Sequence, residues 1–145
     1  MIKALSASRI HTLRRAARWL LIIFYLSAAL FHFSVPDAFV SIVPSWVPYP
    51  YQVVIATGIC EALGAIALMH PRLRWWAGLA LAIYAAGVFP ANIEHATNAA
   101  LPTPGQIGWW YHGPRLALQP AIVWWALFAA DAVTWPFAVR KLESG

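Results

Sequence analysis

Charge is scarce in this sequence. Only 10% of its 145 residues are Asp, Glu, Lys or Arg, where a soluble domain averages roughly 25%. A conventional water-facing surface is therefore excluded. Cysteine is almost absent as well. Cys60 stands alone, which rules out an intramolecular disulfide and any thiol exchange run by a Cys pair within the chain. Its expected place is that of a small buried hydrophobe inside an apolar run. The apolar stretches lack the alternation of period two that marks a membrane barrel. There is no Ser-His-Asp pattern, phosphate loop or nucleotide fingerprint. No nucleic-acid-binding motif is present either, and so apolar a chain cannot offer a basic groove.

What is abundant is hydrophobicity, at 61% of residues. A helix needs roughly 20 apolar residues to cross the hydrocarbon core, and four segments meet that need: about 18–33, 52–69, 75–90 and 115–135. The first and third are slightly short, so their helices are expected to extend into the interface. The expected fold is all-α, a four-helix integral membrane bundle forming a single transmembrane domain over 1–145. The basic N-terminal segment and its apolar run resemble a signal peptide, but Ser34-Val35-Pro36-Asp37 has no clear small-x-small cleavage site. The segment is expected to be a retained first span.

Charge sets the direction. Lys3, Arg9, Arg14, Arg15 and Arg18 precede the first span, Arg72 and Arg74 separate the second from the third, and Arg140 and Lys141 follow the fourth. The connections 34–51 and 91–114 contain no Lys or Arg. By the positive-inside rule both termini and the Arg72/Arg74 turn are cytoplasmic, and the two longer connections face outward. The net charge of +5 is thus about orientation. Trp19, Trp75, Trp76 and Trp135 fall at the cytoplasmic ends, and Trp46, Trp109 and Trp110 in the outer connections. This is the placement of interfacial anchors.

The outer connections hold Pro36, Pro44, Pro48, Pro50, Pro102, Pro104 and Pro114, which resist regular helix and suit ordered lids or short interfacial segments. Gly113-Pro114 suits the start of span four, with Pro at the first helical position. Pro120 is expected to kink that helix. Gly58 and Gly64, with Ala62 and Ala65, allow close helix approach in span two.

Polar residues inside the spans carry the functional signal. Glu61 lies mid-span. A carboxylate there costs several kcal/mol, roughly 2.5–3.5 on insertion scales, so it must face the bundle interior and find a partner or a proton. It is either a proton-handling or ligand-binding acid or a structural hydrogen bond between helices. His32 ends span one. Asn92, Glu94 and His95 follow Pro90. His112, Arg115 and Gln119 open span four, the last two sharing a helix face. Two chemistries suit the set. One is a metal site using His32, His95, His112 and carboxylates, although no tight ligand spacing supports it and no metal is assigned. The other is an organic ligand such as a quinone, hydrogen-bonded by His, Asn, Arg or Glu. Haem held by two of the histidines has no support in the spacing. Asp131 and His70, near the cytoplasmic side, are read as structural, with Asp131 paired to Arg72, Arg74 or Arg18.

The stretches FHFSVPDAFVSIVPSWVPYP (31–50), GICEALGAIALMHPRLRWWAG (58–78), VFPANIEHA (88–96) and RLALQPAIVWW (115–125) together resemble the DoxX-like membrane proteins over most of residues 18–135. The resemblance implies a four-helix bacterial inner-membrane bundle. It also implies an association with redox systems, including thiosulfate–quinone oxidoreductase subunits and methylamine-dehydrogenase maturation proteins. It carries the recurrent polar positions onto His32, Pro36, Glu61, Pro90, Asn92, Arg115 and Gln119. The absent cysteine pair departs from a thiol-exchange role. The expected function is a redox-associated protein that binds a small lipophilic ligand, with a quinone as the class in view, in the outer half of the bundle. Glu61 and His32 would handle protons, and Asn92, Glu94, His95, Arg115 and Gln119 would bind the ligand. A membrane enzyme doing acid–base chemistry on a lipophilic substrate is one alternative. A non-catalytic assembly or transport subunit is another. The expected partners are the lipid bilayer and a redox partner protein, with self-association left open.

Overall fold

A computed structural model describes residues 4–99 and 109–139. Lys3, Pro102, Pro104, Arg140 and Lys141, named above, lie outside the described residues. The chain is helical: α1 (Ala7–Ser34), α2 (Pro36–Val40), α3 (Pro50–Met69), α4 (Arg74–Gly87), α5 (Phe89–Ala99) and α6 (Trp109–Ala129). A two-residue parallel bridge joins β1 (Ala4–Leu5) to β2 (Ala138–Val139).

Three helices are long and apolar enough to cross a membrane: Ala7–Ser34, Pro50–Met69 and the combined Arg74–Asn98. At 1.5 Å per residue α1 is about 42 Å long, so its N-terminal turns project past a hydrocarbon core of about 30 Å. The connection expected from residue 91 is instead helical as far as Ala99. Pro90 does not stop the helix because it is the second residue of α5, where its missing N–H removes no internal bond. Pro114 is likewise not at the first helical position, because α6 already begins at Trp109.

Helix α1 packs on α3 and α6, and α4 packs on the same two. Each helix brings one stripe to the centre. On α1 it is Leu21, Ile22, Tyr25, Ala29 and His32. On α3 it is Val54, Gly58, Glu61, Ala65 and Leu68, at alternating steps of four and three. These spacings return to one helix face. The outward faces carry large apolar side chains, among them Leu20, Ile23 and Leu30 on α1, Leu63 and Ile66 on α3, and Ile83 on α4, each more than half exposed. A soluble monomer does not present so continuous an apolar exterior; lipid accounts for it. Cys60 also lies on this exterior and not in the core as expected, because it sits one residue off the inward stripe that Glu61 occupies.

Small residues set the close approaches. A Cβ on Gly58 would come within 2.8 Å of His32 Cβ, so the missing side chain draws α3 against the outer end of α1. Gly78 does the same at the opposite end of the bundle, where an added Cβ would overlap Ala130 and lie 2.8 Å from the Ala126 carbonyl.

At that opposite end α6 closes with Asp131 in the left-handed region (φ 66°), and the Ala132 amide returns to the Leu127 carbonyl at 2.9 Å. Asp tolerates this conformation better than most residues. Its carboxylate is bound by Arg14 at 3.1 Å, Arg18 at 3.0 Å and Arg74 at 3.7 Å. Arg18 and Arg74 were expected partners. Arg14 was not, and Arg72 makes no such contact. Arg18 Nε also donates to the Ala129 carbonyl at 2.9 Å, satisfying one of the orphan acceptors at the end of α6.

Candidate functional site

The inward stripes of α1 and α3 bring His32 and Glu61 together. Both are buried, with 8% and 6% of their surface exposed. His32 Nδ1 lies 3.2 Å from Glu61 Oε2. The Tyr84 hydroxyl on α4 donates to Glu61 Oε1 at 2.9 Å. Thr57, one turn before Glu61, donates its hydroxyl to the Val54 carbonyl at 2.8 Å and leaves its oxygen 3.5 Å from His32 Nδ1. Phe39 of α2 stands edge-on to the His32 ring, with centroids 4.1 Å apart. The short helix in the first proline-rich connection therefore covers the imidazole.

This cluster is incompletely satisfied. Glu61 Oε2 and the Tyr25 hydroxyl are buried with no hydrogen-bond partner among the described residues. The His32 nitrogen is close to Oε2 but poorly aligned with it, so proximity does not become a hydrogen bond; angle matters as much as distance. Tyr25 stands beside Tyr84, ring centroids 6.4 Å apart. Leaving such a group unpaired costs roughly 1–3 kcal/mol. A cost of that size in a well-packed interior marks a place where another polar group belongs. Chemically, the layer can hold a proton between a carboxyl and an imidazole, and it can donate from a tyrosine.

The remaining expected site residues form a second group nearer the α5–α6 end. Arg115 donates to Asn92 Oδ1 at 2.5 Å. Gln119 Nε2 donates to the Ala85 carbonyl at 2.8 Å. His95 and His112 stand edge-on with ring centroids 5.0 Å apart, and His112 Nδ1 is buried without a partner among the described residues. Glu94 turns away from both groups and accepts from the Trp46 indole at 2.6 Å. It ties α5 to the first outer connection. No hydrogen bond or ion pair among the described residues joins the two groups directly. They meet only through neighbouring positions on α4, where Tyr84 serves the first and Ala85 the second. His32, His95 and His112 are thus not one ligand set, and no three His, Cys, Asp or Glu side chains among the described residues gather in a metal-holding arrangement.

Tyr25, Thr57 and Tyr84 were not anticipated from the sequence. Two of them carried a usable signal. Tyr25 is seven residues before His32 and Thr57 four before Glu61, so each shares its partner's helix face. Tyr84 had no comparable mark.

A family model described as "Domain of unknown function (DUF8561)" matches residues 20–130. The chain belongs to that family. The match takes in the Glu61 layer and the Arg115–Asn92 group but stops one residue short of Asp131. No curated protein and no solved structure matches the chain.

Proposed function

We propose that this member of the family is a four-span protein of the bacterial inner membrane that binds a small lipophilic ligand, of the quinone class, at the Glu61 layer. The observation that carries the reading is the pair of unpartnered buried atoms, Glu61 Oε2 and the Tyr25 hydroxyl. A molecule with two hydrogen-bonding oxygens on an apolar body would offer each a partner, one oxygen to the carboxyl and the other to the tyrosine. When bound, a quinone supplies two-electron, two-proton redox chemistry. The chain's own residues then have separable tasks. Glu61 holds a proton at Oε2, His32 exchanges it at Nδ1, Tyr84 fixes the carboxyl through Oε1, and Phe39 shields the imidazole from water. Arg115, Asn92 and Gln119 brace α4, α5 and α6 around the layer. The DoxX-like resemblance supports the redox association and a redox partner protein.

The topology in this reading counts α6 as the fourth crossing and, by the positive-inside rule, takes the arginine-rich Asp131 end and both termini as cytoplasmic. Helix α6 is 21 residues long, enough to cross, although His112, Arg115 and Gln119 make its first half the most polar segment of the bundle.

The test is a quinone titration of the purified protein in mild detergent, followed by tryptophan fluorescence and by native mass spectrometry. Saturable binding is expected in the wild type. Glu61→Gln and His32→Ala are expected to weaken it by tenfold or more while the helical circular dichroism is unchanged. Normal binding in both variants, or none in the wild type, overturns the reading.

A further inference from the structure

A cavity of about 500 Å³ opens at the end of the bundle opposite α2, lined by Arg15, Arg18, Arg74 and Asp131 together with apolar Trp19 and Met69. The charges here do not balance. Arg14, Arg18 and Arg74 all address the one Asp131 carboxylate; Arg18 and Arg74 do so from the cavity wall, where Arg15 stands with them, and Arg14 from outside that wall. Four positive groups against one negative leave a net excess of three among the described residues. Arg14 and Arg18 are mostly withdrawn from solvent, their side chains 13% and 12% exposed. Like charges this close and this dry repel strongly unless an anion joins them. Arg74, on the wall, also has a buried Nε with no hydrogen-bond partner among the described residues.

Orientation in the membrane explains why arginines stand at this end. It does not explain why three of them converge on the wall of one cavity. We propose that this cavity binds a phosphate group. Guanidinium forks match phosphate oxygens in charge and geometry, and one phosphate offsets part of the excess that Asp131 leaves. The apolar wall favours a phospholipid as the source. Trp19 and Met69 are half exposed and continue into Leu20 and Ile23 on the exterior of α1, a path for an acyl chain out of the cavity. The site is separate from the Glu61 layer, and its test does not depend on the ligand bound there.

The experiment measures binding to the full chain in mild detergent by native mass spectrometry. Its arms are phosphatidylglycerol, phosphatidylcholine and inorganic phosphate. The variants are Arg15→Gln and Arg74→Gln. Arg15 makes no ion pair among the described residues, so its replacement leaves the Asp131 cluster standing. The wild type is expected to retain phosphatidylglycerol in preference to phosphatidylcholine. Each variant is expected to bind it about fivefold more weakly, as for the loss of one arginine near an anionic headgroup. If inorganic phosphate binds the wild type and displaces phosphatidylglycerol, with the same sensitivity to Arg15→Gln, the site stands and its source is soluble. The proposal is overturned if the wild type prefers neither anion, or if Arg15→Gln and Arg74→Gln bind as the wild type does.

Discussion

Asp131 and Glu61 are carboxylates at different levels of one helical bundle, the first at its arginine-rich end and the second within the span of α3. Three arginines reach Asp131. Glu61 has one tyrosine hydroxyl and a misaligned imidazole. Around Asp131 the positive charge is in surplus and the acid is the scarce component. Around Glu61 no Lys or Arg among the described residues is paired with the carboxylate, and an oxygen is left over. Asp131 also ties helix ends, since its partners come from α1 and α4 while it follows α6. Glu61 sits within helices whose packing is already set by Gly58, Ala65 and Leu68. A carboxylate whose neighbours over-satisfy it works as a clamp. One whose neighbours under-satisfy it keeps a valence for something else.

The sharpest break of this contrast is in stability. Asp131→Asn leaves three arginines facing one another and is expected to cost about 2 kcal/mol. That is less than the 3–5 typical of a fully buried pair, because a third of Asp131 reaches solvent. Glu61→Gln is expected to cost under about 1 kcal/mol, since the amide still accepts from Tyr84. Equal losses in thermal unfolding would erase the distinction between clamp and site.

The two glycines separate the ends next. Gly78→Ala drives a methyl group into Ala130 and is expected to cost about 1–3 kcal/mol by overpacking, loosening the Asp131 end while quinone binding is kept. Gly58→Ala presses on His32 and is expected to reverse the pattern, with a clear loss of binding. Paired unfolding and titration curves for the two variants decide this. If both variants lose both properties alike, the ends are not independent.

The two tyrosines give the most diagnostic comparison. Tyr84→Phe removes a made hydrogen bond and strands Glu61 Oε1, so it is expected to cost about 1–2 kcal/mol. Tyr25→Phe removes a hydroxyl with no partner among the described residues and is expected to be neutral or slightly stabilising. With the proposed ligand bound, however, Tyr25→Phe is expected to weaken affinity several-fold. A Tyr25→Phe variant as unstable as Tyr84→Phe would show that its hydroxyl is already engaged.

Much of this contrast was legible one residue at a time. Glu61 announced itself as a carboxylate in an apolar run, and such a group has to turn inward. Asp131 was expected to meet arginines, and the helices were evident from unbroken hydrophobic length. The pairing of Arg115 with Asn92 was less legible, and so were the tyrosines. A tyrosine in a lipid-facing run looks the same whether its hydroxyl reaches the headgroups or a buried acid. Cys60 was misplaced for a related reason: in an apolar chain, hydrophobicity no longer separates inside from outside, and only the small-residue stripe does. The arginine cavity was invisible because the positive-inside rule already accounts for basic residues at that end, and convergence in space leaves no mark along the chain.

The sequence by itself determined that the chain is helical and lipid-facing, and that Glu61 would need company. These follow from the hydrocarbon's demand that backbone groups bond locally and that charges be rare. Only the tertiary structure decided which company. Whether His32, Tyr84 and Tyr25 share a layer with Glu61, and whether three arginines share a cavity with Asp131, depends on how far each helix is rotated and shifted against its neighbours. That is set by side-chain packing at positions such as Gly58 and Gly78, where a single methyl group would change the answer.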